Sequence, residues 1–240
     1  MNKSSDNPGM SGKIKTINRS RRDFLFKAGS AALLAGGIAG CSKIHDFIED
    51  HNNGGGNDDK PVDVGSGDYG ILNYAYALEQ LEAAFYTKVI DDSYNALSEM
   101  EFSLLKDIRD HEIAHREFFK NALGSKAIKK LTVDFSTIDF GNRDSILGTA
   151  KAFEDLGVSA YNGAGKLITN PDYLTLAGKI VSVEARHAAF IRDLVMPGSF
   201  ADMTVIDMNG LDKSNMPGDV LAIANTYLKT KVTANNLPTS

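Results

Sequence analysis

From Asp68 onwards, apolar and polar positions recur with helical spacing. Leu72, Tyr76, Glu79, Ala83 and Tyr86 fall at steps of three and four residues, so a first helix carries an acidic residue, Glu79, inside its apolar stripe. Ser98 followed three residues on by Glu101 spells a capping box that opens a second helix, and Gly124 closes it. Its stripe runs Leu105, Ile108, Glu112, His115, Phe119 and Ala122. A third helix spans about Asp144 to Gly163 with Ala150, Glu154, Gly157 and Tyr161 on one side. Asn170-Pro171 opens a fourth, with Ala177, Ile180, Glu184, His187, Ile191 and Leu194 inward, and it stops before Pro197-Gly198. Short connections make each successive pair antiparallel, whereas the link from Gly124 to Arg143 is long enough to travel from one end of a bundle to the other. The pattern predicts an all-α four-helix bundle over residues 68–195 with one long crossover. Residues 196–240 form a C-terminal extension with a short fifth helix from Pro217 to about Thr230.

Two halves of this pattern echo one another. Leu78-Glu79-Gln80-Leu81 with Tyr86 matches Phe153-Glu154-Asp155-Leu156 with Tyr161, and Glu112-Ile113-Ala114-His115 matches Glu184-Ala185-Arg186-His187. In each half a Glu precedes a Glu-x-x-His, by 33 residues in the first and 30 in the second. Positions i and i+3 share a helix face, so each pair presents a carboxylate and an imidazole to one point. A carboxylate on a core face is costly unless it is paired or bound to metal. Four carboxylates and two imidazoles directed into one apolar interior are how helical bundles hold a pair of iron or manganese ions. The lack of thiolates beside them argues against an iron–sulfur cluster or a Cys-based zinc site. Such a centre leaves positions open for dioxygen or peroxide, an oxidoreductase arrangement. Tyr86 and Tyr161 lie two turns beyond Glu79 and Glu154 on the same faces, as packing residues or as hydrogen-bond donors behind the metal ligands.

The N-terminal part has a different character. Of 240 residues, 42% are hydrophobic and 24% charged, and the formal net charge is −5. Residues 1–40 hold seven basic and two acidic side chains; without them the chain has 19 basic and 29 acidic residues, a net of −10, which excludes nucleic acid as the expected partner. Ser20-Arg21-Arg22-Asp23-Phe24-Leu25 resembles a twin-arginine export signal, and the apolar run that follows is too short for a comfortable membrane span. It ends in Ile38-Ala39-Gly40-Cys41, which resembles a bacterial lipobox, and Cys41 is the single cysteine. The expectation is an exported protein, anchored on the periplasmic or cell-surface side of a bacterial membrane by lipid on Cys41. Residues 41–67 read as a flexible tether reaching about 25–30 Å. His51, Asp58 and Asp59 within it are read as solvated linker and not as a cation site.

Over residues 68–230 the chain resembles the ferritin-like superfamily, and within it the exported branch related to desiccation-associated proteins. The likeness rests on Leu-Glu-x-Leu-Glu-Ala-x-Phe-Tyr at residues 78–86, on the two Glu-x-x-His pairs, and on Tyr161-Asn162-Gly163-Ala164. It implies two iron or manganese ions on Glu79, Glu112, His115, Glu154, Glu184 and His187, with a small oxidant or a metal ion as substrate. Glu82 is the alternative to Glu79; the internal echo favours Glu79, because Glu82 aligns with Gly157. Two other readings compete. His111-Glu112-Ile113-Ala114-His115 spells the zinc-protease signature, although that chemistry would leave Glu79, Glu154, Glu184 and His187 without a role. A non-catalytic lipoprotein stabilised by its metal is the third.

Overall fold

The computed structural model describes residues 60–93 and 95–238. The export-signal-like residues 1–40, Cys41 and the stretch with His51, Asp58 and Asp59 lie outside them. Four long helices form the body: α1 (Gly67–Asp92), α2 (Glu99–Leu123), α3 (Arg143–Gly165) and α4 (Pro171–Val195). Their ends follow the local chemistry. Ser98 and Glu101 make the reciprocal capping box at α2, and the Asn142 side chain accepts from the Asp144 and Ser145 amides at α3. Asn170 caps α4 ahead of Pro171, and Gly124, at φ 53°, ends α2 in the left-handed region.

The pairing is α1 with α2 and α3 with α4, each antiparallel. At one end Asp68 accepts from the Thr169 and Asn170 amides, tying the start of α1 to the α3–α4 turn. At the other, Arg143 at the start of α3 meets Glu101 near the start of α2 at 2.6 Å and donates to the Leu194 carbonyl near the end of α4. The crossover therefore traverses the length of the bundle, and it does so against α1. Asn73 holds the Lys126 carbonyl and the Ile128 amide, and Gln80 accepts from the Leu131 amide. This explains why α1 is buried on nearly every face: the partner helices cover one side, and the crossover covers the other. Phe85 sits at the centre of the core against Tyr86, Phe153 and the crossover residues Phe135 and Phe140.

Three boundaries differ from the sequence reading. The folded part begins before residue 68: Val62–Asp63 (β1) pairs in parallel with Val232–Thr233 (β2), and Val64 is buried, so residues 62–66 pack on the domain instead of belonging to a tether. A two-residue strand gives no period for a sequence to display. The fifth helix, α5, is shorter than expected, Pro217–Ala224 followed by a single 3-10 turn over Asn225–Tyr227. The inner stripe of α2 ends on buried Leu123, with Ala122 exposed. Between α4 and α5, residues 196–216 form a strap. Buried Arg192 anchors one end through the Ser199 carbonyl, Asp155 and Asp202; Asn215 anchors the other through Ser159.

Candidate metal centre

Each long helix delivers part of one cluster. Glu79 comes from α1, Glu112 and His115 from α2, Glu154 from α3, and Glu184 and His187 from α4. All four carboxylates are fully buried. Their ligand atoms gather into two groups, Glu79/Glu112/His115/Glu184 and Glu112/Glu154/Glu184/His187, with Glu112 and Glu184 common to both. His115 Nδ1 lies 2.8 Å from Glu184 Oε1, 3.5 Å from Glu79 Oε2 and 3.7 Å from Glu112 Oε2. His187 Nδ1 repeats the pattern at 2.8 Å from Glu112 Oε1, 3.5 Å from Glu184 Oε2 and 3.6 Å from Glu154 Oε2. The two shared carboxylates thus offer one oxygen to each group, the disposition of bridging ligands.

The outer carboxylates are held from behind. Tyr86 donates to Glu154 Oε1 at 2.5 Å, and Tyr161 donates to Glu79 Oε1. Each tyrosine therefore serves the other half of the repeat, crossing between α1 and α3. Their inward oxygens stay free: Glu79 Oε2, Glu154 Oε2, both oxygens of Glu112 and Glu184, and the two Nδ1 atoms are buried without a partner in hydrogen-bond geometry. Buried polar atoms are normally satisfied, and leaving one unmet costs about 1–3 kcal/mol. These atoms converge at ion-pair distance without the angles of hydrogen bonds, as groups aimed at common points between them are. The residues present fit a metal: acceptor-only oxygens and imidazole nitrogens around two shared positions, with charges that two divalent cations would cancel.

Titration in the metal-free chain tells the same story. Burial, reinforced by the charge of Glu184, pushes Glu79 up to about 8, and burial pushes Glu154 up to about 7 despite His187 nearby. Burial opposes ionisation of Glu112 too, but the two imidazoles beside it hold it at about 2. His115 rises to about 12 against its own burial because Glu112, Glu184 and Glu79 surround it, and His187 is pushed well up for the same reason. Protons on the imidazoles stand where cations would.

Glu82 is buried but outside both groups, and its Oε1 lies 3.0 Å from where a Cβ on Gly157 would sit. Burial and the neighbouring Glu112 push its pKa well above the ordinary carboxyl value. His111 does not join His115 around one point: its Nδ1 lies 2.9 Å from His187 Nε2, and it belongs to neither ligand group, which removes the geometry of the zinc-protease reading. A cavity of about 460 Å³ lies beneath the strap, lined by Lys151, Asp155, Arg192 and Phe200 among others, and contains none of the six cluster residues. No helix among the described residues is long and apolar enough to cross a membrane.

A helical bundle with one long crossover and a buried Glu/His cluster able to hold metal defines a class of proteins before any comparison is made. The chain belongs to the family of the ferritin-like domain, whose sequence model matches residues 67–197, more than half its length. No curated protein matches it.

Proposed function

We propose that the cluster holds two divalent ions, iron or manganese, and that the protein carries out redox chemistry on peroxide, dioxygen or ferrous ion. One observation supports this above the rest: the ligand atoms divide into two groups that share Glu112 and Glu184, with every inward-facing atom unpartnered. When bound, such ions supply one-electron redox steps to a small oxidant. The chain's own contribution is positional. Tyr86 and Tyr161 fix the outer carboxylates, Glu112 and Glu184 are placed to serve both positions, and His115 and His187 surrender their Nδ1 protons as the ions enter. The apolar faces packed around Phe85 and Phe153 keep bulk water from the carboxylates. The protein is further proposed to be exported and held at a membrane by lipid on Cys41, on the strength of residues 20–41.

Elemental analysis of the purified chain tests the reading, followed by assays of peroxide and oxygen consumption. About two ions per chain are expected; Glu184→Ala, which takes a carboxylate from both ligand groups, should lose both, and His187→Ala should lose the ion of its own group. A single ion that survives both substitutions refutes the dinuclear centre. Two ions without turnover of peroxide, dioxygen or ferrous ion refute the catalytic part alone.

A further inference from the structure

The two halves of the cluster are not supported alike. His187 turns Nδ1 toward Glu112, Glu154 and Glu184, and its other nitrogen, Nε2, lies 2.9 Å from His111 Nδ1. The planes of the two rings differ by 7° and the centroids are 5.1 Å apart, about the nitrogen separation plus a ring radius at each end. The rings thus meet edge to edge, nearly coplanar, which is the geometry of a hydrogen bond in the imidazole plane. A nitrogen that ligates a metal must be unprotonated, so the proton of a ligating His187 sits on Nε2. His111 Nδ1 must then accept it, and the proton of neutral His111 must sit on its own Nε2.

The other half has no such support. The repeat places Val183 where the first half has His111, each directly before the shared Glu. Among the described residues no hydrogen bond or ion pair engages the second ring nitrogen of His115, whose contacts are all made through Nδ1. Partners of this kind fix the tautomer and ring orientation of a ligating histidine and raise its basicity.

We propose that His111 is a positioning residue that locks His187 for metal binding and so makes the two metal positions unequal, the one at Glu112/Glu154/Glu184/His187 binding its ion more tightly. This rests on the two-metal reading above. The test is a titration of the metal-stripped full chain with Mn²⁺, followed by calorimetry and electron paramagnetic resonance. Wild type should bind in two steps, and His187→Ala should remove the tighter one, which assigns it. His111→Leu removes the acceptor and should weaken the tighter step about 10–100-fold, the usual loss for such a partner, while leaving the weaker step unchanged. His111→Asn returns an acceptor oxygen close to the Nδ1 position and should recover most of that loss. His111 is only half-buried at the bundle surface, so both variants are expected to fold, and circular dichroism checks it.

The proposal is overturned if His111→Leu binds both ions as wild type does, if both steps weaken equally, or if His111→Asn recovers nothing. A second measurement needs no metal. Long-range ¹H–¹⁵N spectra of the stripped chain should show His111 as the Nε2–H tautomer, and the Nδ1–H tautomer refutes the hydrogen bond. Should wild type bind one ion only, the two-metal reading fails; the spectra and the response of that ion to His111→Leu still decide whether His111 positions His187.

Discussion

Glu79→Gln should stabilise the metal-free protein while reducing its metal-dependent stabilisation, and the size of the gain should depend on pH in a defined way. Unfolded, the Glu79 carboxyl titrates near 4.5; folded and without metal it is pushed up to about 8, by burial first and by the charge of Glu184 second. The folded chain therefore binds the proton more tightly than the unfolded one. Stability from this group is fully present below about pH 4.5 and is lost as pH rises through about 8, at about 1.4 kcal/mol per pH unit. By pH 7 the loss is about 3 kcal/mol and above pH 8 about 5 kcal/mol. The amide has no proton to take up, keeps an oxygen for Tyr161, and offers its NH₂ to neighbouring carboxylates. The variant should thus match wild type at about pH 4.5 and exceed it by up to about 3 kcal/mol at pH 7. That figure is an upper limit, because His115 loses one of its surrounding carboxylates. Urea unfolding in EDTA, followed by circular dichroism between about pH 4.5 and pH 8, reads the difference directly. Adding Mn²⁺ at about a hundredfold excess over Kd should raise wild type by about 2.7 kcal/mol for each ion bound, and the variant by less. An offset that does not change with pH, or a variant less stable than wild type at pH 7, refutes the reasoning.

The remaining expectations can be checked with simpler measurements. Glu154→Gln should weaken the centre as Glu79→Gln does, whereas Glu82→Gln should keep two ions, since Glu82 lies outside both ligand groups. Because metal displaces protons from His115 and His187, the apparent affinity should rise with pH below about 12, by about tenfold per pH unit for each proton released; a pH-independent affinity would contradict the protonation assigned to the empty cluster. Gly163→Ala would place a Cβ 1.7 Å from the Asn215 carbonyl oxygen, so the strap must lift and lose its bonds to Ser159, at a cost of roughly 2–4 kcal/mol. Faster amide exchange at Asn215 with unchanged metal content would show it. Cys41→Ala should release the protein from membranes without altering its folded domain, and a variant that still pellets after a high-salt wash would rule out the lipid anchor.

The helices and the cluster were legible for one reason: a bundle writes its inner face into the sequence at steps of three and four residues, and an acid on that face stands out. Glu79, Glu112, Glu154 and Glu184 each interrupt an apolar stripe, and each is fully buried in the structure. Contacts that depend on how helices face one another were not written there. The crossing of Tyr86 to Glu154 and of Tyr161 to Glu79 joins residues 68 and 82 positions apart, and nothing local sets that pairing. His111 was visible as the first histidine of the zinc-protease signature, and nothing local pointed to its bond with His187, 76 positions away. Arg192 shows no signal at all as a buried anchor, because its partners Ser199 and Asp202 lie in irregular chain that has no period. Strand β1 was missed for a similar reason, its partner lying 170 residues away.

The places where the two halves depart from each other follow from the same geometry that makes them alike. The donors repeat because α1/α2 and α3/α4 each deliver a Glu and a Glu-x-x-His to one of the two groups that could hold a metal ion. Three residues beyond the outer carboxylate the halves differ, Glu82 against Gly157, and these two positions face one another across the bundle. The Glu82 carboxylate fills the room that Gly157 leaves; even a Cβ there would come within 3.0 Å of Oε1, so a second glutamate at that level would have no space. The halves differ again one residue before each shared Glu, but for another reason: His111 reaches His187, the counterpart of His115 and not of itself, and the other half has Val183, with no side-chain hydrogen bond to offer, in its place. A repeat related by a twofold-like axis can keep both copies of a side chain that points at a separate target, but only one copy of a side chain that points at its own counterpart. Symmetry is therefore retained in the cluster residues and in Tyr86 and Tyr161 behind them, and lost at Glu82/Gly157 and His111/Val183, and it is those two pairs that can make the halves of the cluster chemically different.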